Sequence, residues 1–590
     1  MQIRHFTILL ILAIFALSAC KTSERPETIT IKLIETSDVH GAIFPYDFGE
    51  NQASNHSLAQ VHSFVKNQKA MDNQVVIFLD NGDILQGDPS VYYYNYIETQ
   101  KKHLVSEVMN FMAYDAATLG NHDIEAGHKV YDKLRKDFNF PWLAANAVET
   151  NSDQPYFEPY TIIEKQGVRI AVLGLITPAI PQWLPEILWQ GMIFEDMIES
   201  AKYWVDYIKK NEKPDLMVGL FHSGYDHSYN KENADTPKNE NAAGLIAEQV
   251  PGFDLIFVGH DHHGWNKNIT NWAGNPVRLL GTTSRAADVA VATATLSLNK
   301  NTNHYTKTIT GEIVKMDTVK PDPEFIQKFD PEFQIIKNYV AEPVGSITAS
   351  VSTQDAFFGD AAFTDLIHQA QLDLTGAEIS FTAPLSFNKT INEGEIFVRD
   401  LFKIYRYENM IYTMKLGGQE IKDYLEYSAQ LWFVTMNSAE DNMLNFKKDS
   451  SGQIEMNDGR AQLAQAYFNF DNAEGIRYTV DLTKPSGERI NIAALNDGQP
   501  FDLNKTYTVA LNSYRGNGGG GHLTAGAKIR SELLADRIIT STEKDFRYYL
   551  MEWIRDNSPV TPATNNNWQI LPESFAAQAA LRDRELLFGK

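Results

Sequence analysis

The chain has 590 residues, a formal net charge of −23 at pH 7 and an apolar fraction of 43%. A chain of this length exceeds a single hydrophobic core, so we expect two domains or three. The acidic balance argues against a partner that is a nucleic-acid polymer, because such a partner requires a basic stripe on the protein. It does not exclude a small anionic substrate, because bound cations dominate the local field of a site.

The first 20 residues are predicted to form a lipoprotein signal peptide. The apolar run 6–17 is too short to span a bilayer and is typical of a secretory signal. It ends in Leu17-Ser18-Ala19-Cys20, which resembles the lipobox of bacterial lipoproteins. The resemblance implies that Cys20 is lipidated and that the exported protein is anchored to the cell envelope, on its periplasmic or outer face. An ordinary signal peptide with an incidental cysteine is the alternative.

Short apolar runs alternate with segments of helical periodicity from residue 28 to residue 321. The apolar runs predict strands at 29–34, 75–79, 116–119, 168–175, 216–221, 255–258 and 277–280. Helical periodicity is found at 57–69, 103–113 and 194–211. This alternation predicts a layered α/β domain with catalytic loops at the strand ends.

Residues 322–343 are predicted to form a linker helix between two domains. Asp330 is the expected N-cap, Pro331 the expected first-turn residue, and Pro343 ends the helix. A smaller α+β domain is expected to follow, from residue 344 to residue 590.

Polar residues follow the predicted strands in five fragments. The fragments are Asp38-Val39-His40, Gly82-Asp83, Gly120-Asn121-His122-Asp123, His222, and Gly259-His260-Asp261-His262. Carboxylates, imidazoles and one neutral amide together form a ligand set for two divalent ions. Any one fragment alone is structural about as often as it is functional. All five in register with strand ends predict a binuclear metal hydrolase.

The spacing of the fragments suggests individual ligand roles. Two ions held side by side need a bridging carboxylate, and Asp83 is the candidate. Asp38 and His40 are two residues apart, so in an extended stretch both would project to one side of the backbone. His260 and His262 repeat this spacing.

The five fragments resemble the motifs of the calcineurin-like metallophosphoesterases. The resemblance implies an α/β/β/α fold and two divalent metal ions, with zinc or manganese expected. One ion would be held by Asp38, His40, Asp83 and His262. The other would be held by Asp83, Asn121, His222 and His260.

His122 is the expected catalytic side chain beside the metals. The resemblance implies that it contacts the phosphate or protonates the leaving oxygen, as a cationic imidazole is suited to do. In related 5′-nucleotidases a carboxylate three residues further on orients this histidine, and here that residue is Glu125 rather than Asp. Asp123 is the alternative partner by adjacency. The nucleophile would be a water whose pKa the metals lower.

The second domain resembles the C-terminal domain of the 5′-nucleotidase and 2′,3′-cyclic-nucleotide phosphodiesterase family. The resemblance implies that two aromatic rings hold the nucleobase, and Tyr407 and Tyr514 are the candidates. Stacking suits any base, because every base has a π-face. Asn409 lies beside the first ring, and Gly518 belongs to a glycine cluster that lets the backbone approach a ligand.

One difference from the family bears on the substrate. The segment 382–388 lacks the Gly-Gly-Ile-Arg-like motif whose arginine grips phosphate in typical 5′-nucleotidases. We therefore favour a monomeric 2′,3′-cyclic-nucleotide 2′-phosphodiesterase and 3′-nucleotidase. The alternative is a 5′-nucleotidase or UDP-sugar hydrolase, and a surface nucleotide-binding protein without catalysis is a third hypothesis.

Overall fold

The computed structural model describes residues 25–152, 154–229 and 232–589. The predicted signal peptide and Cys20 lie outside these residues. Among the helices within these ranges, none has the length and hydropathy needed to cross a membrane.

The first domain contains two mixed β-sheets. In spatial order, the strands of the first sheet are His304–Lys315, Asp288–Asn299, Thr28–Thr36, Val75–Asp80, Ala116–Thr118 and Trp142–Leu143. The strands of the second sheet are Trp265–Thr270, Pro276–Gly281, Leu255–Val258, Leu216–His222, Val168–Ile176 and Tyr160–Lys165. The central strands of both sheets are parallel and read as near-continuous apolar runs, because both of their faces are covered. All seven predicted strands are present.

The two sheets pack face to face and helices cover their outer faces. The inner face is apolar and includes Leu33, Ile77, Leu79, Val172, Val218, Leu220 and Phe257. The principal helices of this domain are Leu58–Lys69, Leu104–Met112, His128–Asp137, Met197–Asn211 and Ala243–Gln249. The first two cover one sheet and the last two cover the other. The predicted α/β/β/α layering is confirmed.

Gly174 lets the two sheets approach each other near the edge at which their parallel strands end. A Cβ on Gly174 would lie 2.3 Å from the Cβ of Leu143, so a larger residue there would push the sheets apart. At the same edge the Thr118 hydroxyl donates to the Leu220 carbonyl at 3.0 Å. The loops that follow the parallel strands of both sheets therefore meet in one place.

The second domain is built on a five-strand sheet with helices packed against it. Its strands, in spatial order, are Asn472–Glu474, Ile379–Thr382, Thr506–Asn512, Ile411–Gly417 and Ile538–Ser541. A smaller sheet contains Ile490–Leu495, Ile476–Asp481 and Trp568–Leu571. The principal helices are Ala362–Thr375, Val398–Ile404, Gly418–Trp432, Phe546–Asn557 and Glu573–Phe588.

The helix that joins the domains differs from the prediction at its start. It spans Pro323–Val340, and Asp322 is its N-cap, accepting the N–H of Phe325 at 2.9 Å. The expectation that Asp330 caps this helix is wrong, because Asp322-Pro323 already supplies an N-cap and a first-turn proline. Pro331 lies inside the helix, where it removes one backbone hydrogen bond.

Candidate metal centre and substrate cleft

The backbone at five of the seven predicted metal ligands is left-handed rather than extended. The φ angles are 52° at Asp38, 47° at His40, 60° at Asp83, 73° at His260 and 56° at His262. The expectation that extended stretches aim these side chains is therefore wrong. Non-glycine residues rarely adopt positive φ, and strain of this kind persists where the surrounding structure enforces it, often at functional sites.

One group of candidate ligands combines Asp38, His40 and His262, whose ligand atoms all lie within 4.8 Å of one another. The Nε2 atoms of His40 and His262 are 3.0 Å apart, and His262 Nε2 is 3.3 Å from a carboxylate oxygen of Asp38. His40 Nδ1 faces the carbonyl of Gln86 at 3.3 Å, which leaves its Nε2 lone pair directed at the centre. A cation shared by these atoms fits the arrangement.

A second group combines Asp83, His222 and His260. His222 Nδ1 donates to the Asn81 carbonyl at 2.6 Å, so its Nε2 carries a lone pair. That nitrogen lies 3.2 Å from Asp83 Oδ2 and 3.2 Å from Asn121 Oδ1. A cation between these three atoms would fit the arrangement, and imidazole, carboxylate and amide together suit a divalent metal ion.

The second imidazole of this group, that of His260, is oriented by a residue that sequence reasoning missed. His260 Nε2 lies 3.1 Å from Glu240 Oε1, so its Nδ1 is the atom free for a metal. The ring of Trp183 stacks on His260 with the centroids 5.4 Å apart. Neither Glu240 nor Trp183 lies in a motif, and each is far from His260 in the sequence, so no local pattern signals it.

His122 and Glu125 form a pair beside these groups. His122 Nδ1 lies 2.5 Å from Glu125 Oε2, and the His122 N–H donates to Asp83 Oδ1 at 2.8 Å. Burial lowers the pKa of His122, but Asp83 and Glu125 outweigh it and raise that pKa to about 10. With Nδ1 facing Glu125, Nε2 is the ring nitrogen that a second proton would occupy.

Asp123 does not contact His122, so the candidate catalytic role predicted for it is not supported. Its carboxylate is fully buried and accepts four backbone N–H groups. The donors are Gly120, Asp83, Ile84 and Leu85, at 2.8 to 3.1 Å. Adjacency misled the prediction, because a residue that follows His122 directly on a helix points to another side.

The two predicted base-contacting tyrosines share a third ring. The centroid of Phe468 lies 5.8 Å from that of Tyr407 and 6.4 Å from that of Tyr514. A Cβ on Gly519 would lie 2.6 Å from the Tyr514 ring, so this glycine lets the ring lie directly on the backbone. Tyr407 and Tyr514 remain partly exposed. We call the rings of Tyr407, Phe468 and Tyr514 the aromatic platform.

A buried arginine fixes this platform. Arg515 donates to both oxygens of Asp471, at 3.0 and 2.8 Å, and to the carbonyls of Gly519 and Phe468. Burial raises the pKa of Asp471, but the guanidinium outweighs it and lowers that pKa. One side chain thus holds the loops that carry Phe468 and Tyr514.

Gly518 and Asn409, the other two predicted substrate contacts, belong to the loops that carry Tyr514 and Tyr407. Gly518 has a φ of 108°, in the region that favours glycine, and its N–H donates to the Arg515 carbonyl. Asn409 is buried, and its carbonyl accepts the N–H of Phe546 at 2.7 Å. Gly518 shapes the glycine cluster, whereas Asn409 supports the loop that carries Tyr407.

Comparison with known proteins agrees with this two-domain arrangement. Residues 31–264 match the family model for calcineurin-like phosphoesterase, and residues 343–527 match that for the 5′-nucleotidase C-terminal domain. The two models together match more than half of the chain.

Over the aligned regions, curated relatives are about a quarter identical to the chain in sequence. A 2′,3′-cyclic-nucleotide 2′-phosphodiesterase/3′-nucleotidase of Haemophilus influenzae is 25% identical, over 97% of this chain and 92% of the relative. The trifunctional nucleotide phosphoesterase protein YfkN of Bacillus subtilis is 26% identical over 92% of this chain, which spans 39% of that protein. A 5′-nucleotidase of Vibrio cholerae is 25% identical over 70% of this chain and 79% of its own length.

Among solved structures, a putative 5′-nucleotidase of Staphylococcus aureus superposes with a TM-score of 0.75. It is 21% identical, and the match covers 92% of this chain and 99% of that one. At this identity the superposition supports the shared fold. The chain therefore belongs to the calcineurin-like phosphoesterases that carry a 5′-nucleotidase C-terminal domain.

Proposed function

We propose that the protein hydrolyses phosphate esters of nucleotides at the centre formed by its two ligand groups, and that it prefers 2′,3′-cyclic and 3′-nucleotides. The observation that carries this proposal is the His122–Glu125 pair, which lies against Asp83 where the two ligand groups meet. Relatives named as cyclic-nucleotide phosphodiesterases match nearly the whole chain and support the substrate class.

Two divalent ions would occupy the two ligand groups, and Asp83 would be shared between them. The first would be bound by Asp38, His40, Asp83 and His262, and the second by Asp83, Asn121, His222 and His260. When bound, the ions supply Lewis-acid stabilisation of the phosphoryl oxygens and an activated water. The buried carboxylates of Asp38 and Asp83 supply the negative charge that such ions require.

His122 and Glu125 would act on the leaving group. His122 would hold a proton near the centre, and Glu125 orients its ring through Nδ1. This orientation leaves His122 Nε2–H free to protonate the ribose oxygen as the P–O bond breaks. The arrangement is useful for a nucleotide, because a ribose alkoxide is a poor leaving group.

The aromatic platform would receive the nucleobase. Tyr407 and Tyr514 are partly exposed, and stacking on them demands no particular base. The segment 382–388 contains no arginine, so this part of the site offers no bidentate grip for the phosphate of a 5′-nucleotide. This difference favours cyclic and 3′-nucleotides over 5′-nucleotides.

We also propose that the protein acts outside the cytoplasm as a monomer attached by a lipid on Cys20. The support is the lipobox-like run that ends the apolar segment 6–17.

Substrate preference tests the proposed function directly. Purified protein loaded with zinc or manganese is expected to hydrolyse 2′,3′-cyclic AMP and 3′-AMP, and chelation of the metal should abolish both activities. Phosphate release and nucleoside chromatography would measure them. Faster hydrolysis of AMP or UDP-glucose would favour the 5′-nucleotidase alternative. Nucleotide binding without any turnover would favour the non-catalytic hypothesis.

Asp83→Asn tests the shared ligand. The substitution removes one negative charge from between the two groups while keeping the side-chain shape. We expect bound metal to fall from two ions towards one, and kcat to fall by at least about 100-fold. Metal content by mass spectrometry and a circular-dichroism spectrum would separate loss of metal from unfolding. Full metal content and unchanged kcat would contradict the assignment.

Glu125→Gln tests the orientation of His122. We expect kcat for 3′-AMP to fall roughly 10- to 100-fold, because the imidazole loses its charged partner. The loss should be much smaller for p-nitrophenyl phosphate, since p-nitrophenolate leaves without a proton. Asp132→Asn is a matched control, because Asp132 pairs with His128 at 3.1 Å on the surface. Equal losses on both substrates would contradict this role.

Cys20→Ser tests the anchor. In cells fed a radioactive fatty acid, we expect the wild-type protein to be labelled and to sediment with membranes, because Cys20 is the chain's sole thiol. The variant should be unlabelled. Label retained by the variant would exclude Cys20 as the lipidated residue.

A further inference from the structure

A polar contact that involves two buried carboxylates joins the two domains beside the candidate active site. The Tyr92 hydroxyl donates to Asp545 Oδ1 at 3.0 Å, and the Tyr96 hydroxyl donates to Glu408 Oε2 at 3.0 Å. Both tyrosines belong to the first domain, and both carboxylates belong to the second. We call these two hydrogen bonds the interdomain clasp. Neither hydrogen bond involves His122 or Glu125.

The carboxylates of the interdomain clasp flank one fully buried arginine. Arg547 Nη1 lies 3.7 Å from Asp545 Oδ2 and 3.9 Å from Glu408 Oε1. The guanidinium also stacks on aromatic rings, 4.1 Å from the centroid of Phe402 and 4.8 Å from that of Tyr92. A buried cation between two carboxylates is stable only while its partners stay in place. The interdomain clasp keeps both carboxylates in place from the opposite domain.

Arg547 in turn determines the shape of the loop that carries the first base-contacting ring. Its guanidinium donates to the carbonyls of Tyr405 at 3.0 Å, Arg406 at 3.0 Å and Tyr407 at 3.4 Å. Three successive carbonyls are thus bound by one rigid, planar group. Glu408 directly follows Tyr407, so the hydrogen bond from Tyr96 acts on the residue next to this ring.

A second connection reaches the metal centre. The side chain of Gln86 donates through Nε2 to the backbone carbonyl of Arg406 at 3.3 Å. The backbone carbonyl of Gln86 faces His40 Nδ1, also at 3.3 Å. The Tyr407 loop is therefore linked to a candidate metal ligand through one intervening residue.

We propose that the interdomain clasp positions Tyr407 relative to the metal centre and thereby sets the affinity for substrates that carry a nucleobase. This inference rests on the proposed function, because it takes Tyr407 as a base contact. Tyr92, Tyr96, Glu408 and Asp545 are positioning residues, since none of them needs to touch the reacting atoms. A phosphodiester without a base does not use Tyr407, so its hydrolysis is independent of the clasp.

The test compares two substrates in Tyr92→Phe, Tyr96→Phe and the double variant. One is the nucleotide that the wild-type enzyme cleaves fastest, and the other is ribose 2,3-cyclic phosphate, a phosphodiester that has no base and no aromatic ring. Each substitution removes one hydroxyl and leaves the ring. We expect KM for the nucleotide to rise several-fold in each single variant and roughly tenfold or more in the double variant. For ribose 2,3-cyclic phosphate, kcat and KM should stay within about twofold of wild type.

Tyr131→Phe is the matched control. Tyr131 is a buried tyrosine of the same domain whose hydroxyl donates to the Leu188 carbonyl at 2.8 Å, away from the second domain. It should change neither KM. Thermal melting of every variant would detect a general loss of structure.

The possible results distinguish failure of this inference from failure of the proposed function. Equal losses on both substrates would show that the interdomain clasp has only a structural role, and unchanged nucleotide KM would show that it has no positioning role. Either result overturns the inference and leaves the proposed function standing. A wild-type enzyme that cleaves ribose 2,3-cyclic phosphate but no nucleotide would overturn the proposed function, and the inference with it.

Discussion

The carboxylate of Asp123 accepts the N–H groups of Gly120, Asp83, Ile84 and Leu85, and the geometry of the metal centre depends on this anchor. A buried carboxylate is costly unless its lone pairs are used, and here four donors use them. The two loops that meet at Asp123 are in close contact. A Cβ on Gly120 would lie 2.0 Å from Asp83 Oδ1, so only glycine fits between them. Asp83 and the run that follows Gly120 therefore form one rigid unit.

That rigidity explains how a strained backbone is maintained. Asp38, His40, Asp83, His260 and His262 all have positive φ, which costs energy at every non-glycine position. The strain is balanced by hydrogen bonds between loops of different strands. Asp38 N–H donates to the Gly82 carbonyl and His40 N–H to the Asp83 carbonyl, both at 2.9 Å. These hydrogen bonds tie the loops that carry the candidate ligands to one another.

The strands and the main ligand fragments could be predicted from sequence because both signals are local. A parallel strand buried on two faces is a continuous apolar run, and polar residues directly after such runs stand out. Glu240 and Arg547 could not be predicted, since each acts on a residue far away in the chain. The misplaced helix start has a local cause: Asp322-Pro323 and Asp330-Pro331 carry the same N-cap signature, and sequence alone does not rank them.

The two domains supply different parts of the candidate site, so their relative position matters. The candidate metal ligands come from the first domain and the aromatic platform from the second, so under the proposed function a nucleotide would contact both at once. A displacement of about 1 Å between such groups is enough to reduce a rate severely. Apolar packing alone sets a distance loosely, because side chains can slide along one another. Directional hydrogen bonds from Tyr92 and Tyr96 to buried carboxylates set it far more tightly. A polar contact to buried carboxylates, costly for stability alone, is therefore well suited to an interface that must hold two half-sites in register.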